Sequence, residues 1–267
     1  MVETVNIGAA TLYCGDCEDL IASVPPFTTV ITSPPYNLGA TPWKPLGHWR
    51  PGNRSGSGSQ RKWAGGAAVT SGDGVRYGAH ADNMPWQDYV AWQRRVLSKL
   101  WSALPDAGAI FYNHKPRVVG DRLWIPTELL PPEAILRQVI IWARPGGLNY
   151  TPVAFVPTHE WIMLIAKPGF RLKSRGASGV GDVWQMNPER NDHPAPFPEA
   201  LPAKAIEVTA GGAILDPFMG SGTAGAAALK AGRQFIGIEK DRRHFDAACA
   251  RLARIVSQPR FAELEAT

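Results

Sequence analysis

The string Asp216, Pro217, Phe218, Met219, Gly220, Ser221, Gly222, Thr223 lies between an apolar run at residues 213–215 and a run of small residues at 223–231. It reads as a tight turn from a strand into a helix, with glycines that let a ligand approach the backbone closely. Residues 235–238 read as the next strand, and Glu239 follows it. Gly220, Gly222 and Gly225 also satisfy the dinucleotide-binding pattern, in which an acidic residue at about this distance takes ribose hydroxyls. Position limits what such a unit can be. Only residues 240–267 remain, enough for one helix and a tail, so the other strands of the sheet must come from the N-terminal half. A nicotinamide-binding domain needs several strands after its acidic residue, and a P-loop needs a lysine after Gly222.

The rest of the chain alternates strands with helices. Residues 10–14 read as a strand stopped at Gly15 and Asp16, residues 17–23 as a short helix, and residues 27–32 as a strand. Tyr89, Trp92, Val96, Leu100 and Leu104 recur at helical spacing over 86–104, Gly108 closes that helix, and 109–112 reads as a strand. Residues 139–142 and 161–166 read as two strands joined through a Pro145, Gly146, Gly147 turn, an antiparallel pair at a sheet edge. A helix ending at 206–210, a strand at 213–215 and a last helix over 241–257 complete the series. This order predicts an α/β fold with a mainly parallel sheet covered on both faces. Residues 39–83 break it: rich in Gly, Ser and Arg and without apolar period, they read either as a solvated insertion or as a lid over a polyanion. In the second reading Arg54, Arg61 and Lys62 lie on phosphates and Trp43, Trp49 or Trp63 near bases.

A 267-residue chain with 45% hydrophobic residues can bury a large core, and 1–267 is read as one domain carrying that inserted loop. The net charge of +5 favours a polyanionic partner. No apolar run approaches the roughly 18 residues of a membrane span, and no secretory leader is evident, so a soluble, cytoplasmic protein is expected. Three cysteines argue against a disulfide framework. Cys14 and Cys17 make one C-x-x-C without the second ligand pair that zinc requires, and His193 lacks a partner at ligand spacing, so no metal is expected.

Thr32, Ser33, Pro34, Pro35, Tyr36 and Asn37 form a second string, directly after a predicted strand. It resembles the catalytic loop of the DNA methyltransferases that modify exocyclic amino groups, as the Asp216–Thr223 string resembles their S-adenosyl-L-methionine loop. Catalytic loop first and cofactor loop last is the permuted order of the family's β group. The resemblance covers about residues 10–38 and 86–255, and implies a seven-stranded, mainly parallel, Rossmann-like sheet. The amino nitrogen of adenine or cytosine is a poor nucleophile because its lone pair is delocalised into the ring. The Ser33 hydroxyl and Pro34 carbonyl suit its hydrogens as acceptors, and two successive prolines fix the backbone before substrate arrives. Tyr36 offers a flat face to a base swung out of the duplex.

The resemblance assigns Ser33, Pro34, Pro35 and Tyr36 to catalysis. It assigns Asp16, Thr32, Phe197, Asp216, Phe218, Gly220, Ser221, Gly222, Thr223 and Glu239 to the cofactor. Asp16 would reach its adenine, while Asp216 and Phe197, the latter within the His193–Pro198 block, would lie at its methionine end. Thr158, His159 and Glu160 resemble a block near the target-base pocket, although Glu160 reads equally as a salt-bridged strand residue. Asn37 and the basic run Arg171, Lys173, Arg175 are candidates for DNA contact. The base stays open: Ser33 resembles the cytosine-N4 type, whereas Tyr36, Asn37, Leu38 and Gly39 resemble the continuation in adenine-N6 enzymes, and adenine is placed first. A cytosine-C5 enzyme is excluded, since no cysteine follows a proline. Implied partners are double-stranded DNA, a second copy of the chain, and either a cognate restriction endonuclease or none, as in epigenetic marking. An RNA amino methyltransferase and a catalytically silent DNA-binding module are the rival readings.

Overall fold

The structure, a computed structural model, describes residues 2–40, 42, 76–77, 80–119, 122–144, 154–187 and 197–258. Arg54, Arg61, Lys62, the three tryptophans of the insertion, the Pro145–Gly147 turn and His193 lie outside the described residues.

The chain opens with β1 (Glu3–Ile7) and β2 (Ala10–Cys14), a hairpin turned at Gly8, whose φ of 57° suits glycine. Helix α1 (Cys17–Leu20) is capped by Asp16, which accepts the Glu18 amide at 2.9 Å. Strand β3 (Thr29–Thr32) is buried at all four positions, as a central strand with both faces covered must be. After the short pair β4 (Arg76–Tyr77) and β5 (His80–Ala81) comes α2 (Trp86–Ala103), which buries Tyr89, Val96, Leu97 and Leu100 on one stripe. Strand β6 (Ala109–His114) is also buried throughout. The hairpin β7 (Arg117–Val119) and β8 (Arg122–Trp124) leads through a 3-10 helix (Pro126–Leu129) to the antiparallel pair β9 (Leu136–Ala143) and β10 (His159–Ala166). Then follow α3 (Arg175–Ser178), β11 (Val183–Gln185), α4 (Ala200–Val208), β12 (Ile214–Asp216), α5 (Thr223–Lys230), β13 (Phe235–Glu239) and α6 (Arg242–Ser257).

One sheet carries nine strands in the order β1-β2-β13-β12-β3-β6-β10-β9-β11. From β2 through β6 every neighbour is parallel, as are β9 and β11, while β1 and β10 run against their neighbours. The class is the expected one, with two strands more than the seven predicted. Both extras are edge strands: β1 is polar and half exposed, and β11 has three residues, too few to show a period. The predicted edge pair is therefore one strand short of the edge. Two apolar clusters flank the sheet, one built with α4, α5 and α6 and the other with α1 and α2. Among the described residues no helix is long and apolar enough to cross a membrane.

Candidate active site

Parallel strands gather their C-terminal ends at one edge, and ligands of open α/β sheets bind where the connections diverge. Here that point lies between β12 and β3. From β12 the chain crosses through α5 to β13 on one side, and from β3 through α2 to β6 on the other. Thr32 and Asp216 end these two strands and meet across the gap, Thr32 Oγ1 donating to Asp216 Oδ1 at 2.7 Å. The same oxygen takes the Phe218 amide at 3.1 Å, which shapes the start of the glycine loop. Burial pushes the Asp216 carboxyl up to about 7, against the lowering effect of these two hydrogen bonds. Gly222, at φ 77°, turns the chain into α5.

A cavity of about 340 Å³ opens at this edge, walled by Gly15, Asp16, Phe218, Gly220 and Glu239 and, at its other end, by Ser33 to Tyr36. Glu239 accepts the Gly220 amide at 2.8 Å on one oxygen and the Asp241 amide at 2.7 Å on the other, and burial raises its pKa. Asp16 pairs with Lys240 at 2.9 Å. Trp92 meets the Phe218 ring edge-on at 5.6 Å. Two carboxylates at one end, an aromatic pair and exposed glycine backbone suit a ligand with ribose hydroxyls, a flat purine and a cationic centre.

The Ser33 end holds a directed set of hydrogen bonds. Glu160 is buried and pairs with Arg144 at 3.4 Å, so it accepts only. Tyr36 gives its single hydroxyl hydrogen to Glu160 at 3.0 Å. The Ser33 to Tyr36 contact, at 3.0 Å, must then be donated by Ser33. Asn113 Nδ2 donates to the Tyr36 oxygen at 2.5 Å and to Glu160 at 3.2 Å. The Ser33 hydrogen is thus committed to Tyr36, and its oxygen, approached by Asn113 Nδ2 at 3.5 Å, keeps a lone pair to receive a further hydrogen. The Tyr36 ring stacks on His114 at 4.4 Å.

The DNA methylase family profile matches residues 27–250, most of the chain and both strings. The chain belongs to the DNA methylase family. It is 25% identical over 283 aligned residues to Type II methyltransferase M.ScaI of Streptomyces caespitosus, covering 90% of this chain and 80% of that one. Type II methyltransferase M.BglII of Bacillus subtilis is 24% identical, over 89% of this chain and 67% of its own. Among solved structures, the PvuII DNA methyltransferase (cytosine-N4-specific) superposes with a TM-score of 0.64 at 16% identity over 94% of this chain and 92% of that one. TTHA0409 of Thermus thermophilus, complexed with S-adenosyl-L-methionine, gives 0.60 at 21% identity over 93% and 95%. The DNA methylase is an S-adenosyl-L-methionine-dependent enzyme acting on amino groups of DNA.

The methylase brings Asp16, Phe218, Gly220 and Glu239 together with Ser33, Pro34, Pro35 and Tyr36 on the wall of one cavity. Thr32, Asp216, Ser221, Gly222 and Thr223 stand behind that wall: the first two hold the strand ends together, and Arg251 binds the Ser221 carbonyl at 3.4 Å and the Thr223 hydroxyl at 3.1 Å. Phe197 packs into the core cluster beside α4 and α5 instead of lining the cavity. Asn37 is also absent from the cavity wall. It is fully buried at φ 54°, its amide bound to the Met84 carbonyl at 2.9 Å, because the chain reverses there and Asn tolerates the left-handed conformation. Arg171, Lys173 and Arg175 lie apart from the cavity. They follow Ala166, which pairs with Ala109 at the start of β6, and the Lys173 amide bonds to Val208 ahead of β12, so the run lies at the opposite end of the sheet from the cavity.

Trp92, Arg95, Lys240 and His244 also line the cavity, and sequence reasoning missed them. Lys240 adjoins Glu239 and was within reach. Trp92 fits the apolar stripe of α2, which concealed its second role. Asn113 and His114 are masked by an otherwise apolar strand. Among the described residues no group of three or more His, Cys, Asp or Glu is arranged to hold a metal, and all three cysteines are free thiols.

Proposed function

We propose that this methylase modifies the N4 amino group of cytosine in duplex DNA, with the target base turned out of the stack. The observation that carries the reading is the ordered Ser33 hydroxyl. S-adenosyl-L-methionine supplies an electrophilic methyl carbon on a sulfonium centre. Asp16 and Glu239 would hold its ribose and adenine end, and Phe218 with Gly220 the part nearer Ser33. Ser33 Oγ and the Pro34 carbonyl accept the two amino hydrogens, which turns the nitrogen lone pair out of the ring plane. Tyr36, Glu160 and Asn113 keep the serine an acceptor, so no reorientation is needed at the reacting step.

Adenine N6, placed first on sequence, becomes the second reading. That order leaned on Tyr36, Asn37, Leu38 and Gly39. Asn37, Leu38 and Gly39 are absent from the cavity wall and bond to the Met84 carbonyl and to Asp82, so only Tyr36 of that stretch could touch the base. Ser33, which resembles the cytosine type, lines the cavity beside Tyr36, and its hydroxyl is the group that would meet the amino hydrogens. A restriction partner is supported by the Type II designation of both relatives. A homodimer rests on the family resemblance, and sedimentation of the purified protein tests it.

Incubation with unmethylated genomic DNA and labelled cofactor, followed by digestion and mass spectrometry of nucleosides, decides the matter. N4-methylcytosine is expected. N6-methyladenine would hand the site to the second reading, and neither product with cofactor bound would point to RNA or to a silent module.

A further inference from the structure

His114 and Tyr89 lie behind the catalytic loop, outside the cavity wall and beyond the residues assigned above. Both are fully buried, on β6 and α2 respectively. The Tyr89 hydroxyl sits 2.9 Å from the Pro35 carbonyl and 2.7 Å from His114 Nε2. A carbonyl only accepts, so the single Tyr89 hydrogen goes to Pro35 and the imidazole must donate from Nε2. The other ring nitrogen, Nδ1, lies 2.8 Å from the Lys115 amide, which can only donate to it, and 3.3 Å from the Lys115 carbonyl; the shorter contact makes it an acceptor without a hydrogen. The arrangement that makes the three shorter contacts is a neutral ring, Nε2–H to Tyr89, and Tyr89 O–H to Pro35, and it leaves the 3.3 Å approach of Nδ1 to the Lys115 carbonyl without a hydrogen. Burial, with Arg117 nearby, pulls the imidazole down to about 3, which agrees with a neutral ring. The same imidazole is the stacking partner of Tyr36, and its far surroundings are Tyr112, nearly coplanar at 6.2 Å, and the edge of Trp124 at 5.2 Å.

We infer that His114 and Tyr89 are positioning residues: a fixed neutral imidazole orients the Tyr89 hydroxyl, which ties back the Pro35 carbonyl and aims the Pro34 carbonyl and the Tyr36 ring at the target base. This deepens the functional reading above and rests on it. The two prolines fix φ but leave the Pro35 to Tyr36 peptide free to rotate about ψ. The relay removes that freedom from a direction the substrate does not reach. Tying back one carbonyl also decides which of the two successive carbonyls is offered to the amino group.

Tyr89→Phe deletes the hydroxyl and keeps the ring. It is expected to lower kcat on the order of tenfold to a hundredfold, the cost of a small misplacement of reacting groups. KM for DNA and the cofactor Kd should change by less than about threefold. His114→Phe keeps the stack on Tyr36 and should give a similar loss. The double variant should be no slower than the slower single one, since both remove the same relay. His114→Gln, whose amide nitrogen reaches the Nε2 position, should recover part of kcat. A merely structural role would lower Tm in all variants and leave kcat of the folded fraction unchanged, which overturns the inference, as do losses that multiply in the double variant. The ¹⁵N shifts of the wild-type imidazole are independent of activity. Nε2 protonated and Nδ1 bare is expected, and an Nδ1–H ring or an imidazolium at neutral pH overturns the relay. A wild type that transfers no methyl group to DNA sinks the functional reading instead, and the tautomer still decides the relay.

Discussion

Asp216 is 1% exposed, yet it ends a strand at the mouth of the site, and its carboxyl is held up to about 7 by burial. The unfolded group titrates near 3.8, so the folded state binds the extra proton between these values. Stability contributed by the neutral form is therefore fully present below about pH 4 and lost as pH rises toward 7. Asp216→Asn keeps an acceptor for Thr32 and for the Phe218 amide and removes the titration. Its Tm advantage over the wild type should grow from about pH 4 to 7, reach several degrees, and then level off. A gap that stays constant across that range, in thermal scans over pH, refutes the assignment. At this scale the two motifs were informative: Ser33, Tyr36 and Glu239, singled out from them, all line the cavity. The sequence was silent on Asn113, His114 and Tyr89, whose roles depend on neighbours up to 80 positions away.

Strands and helices were legible wherever their period ran long enough. The α2 stripe, β3, β6, α5 and α6 stand within a few residues of their predicted bounds, since burial on one stripe or on both faces leaves a pattern. The edge strands β1, largely exposed, and β11, only three residues long, left none. Gly225 shows how a motif residue gains its meaning from an element pair. It belongs to the glycine fingerprint, but it serves packing between α5 and β13: a Cβ there would lie 2.7 Å from the Phe235 ring and 3.0 Å from Leu252. Both neighbours are fully buried and have no room to yield. Gly225→Ala should cost about 1–3 kcal/mol by overpacking and lower the urea midpoint without changing m. An unchanged midpoint would mean that the helix can lift off the strand freely.

At the scale of the molecule, the permuted order of the two strings dictated how the sheet had to be completed, and the topology agrees. What the sequence could not place was charge. The run at Arg171 looked like a recognition patch by its position between two motifs, and only the antiparallel course of β10 sends it to the far end. The insertion after the catalytic loop is closed at its base. Asp82 takes the Leu38 amide on its carboxylate at 2.9 Å and the Gly39 amide on its carbonyl at 2.8 Å, while Arg117 holds the Asn37 and Ala40 carbonyls. Replacing residues 43–74 with a short Gly/Ser linker should therefore leave Tm and cofactor affinity nearly unchanged and weaken DNA binding, as read by titration at fixed salt. Unaltered DNA affinity would remove the insertion from the interface. With both feet pinned, each doubling of the intervening length adds only about 0.6 kcal/mol of closure entropy. Recombination can then exchange this segment as a cassette while the sheet and the cavity are inherited intact.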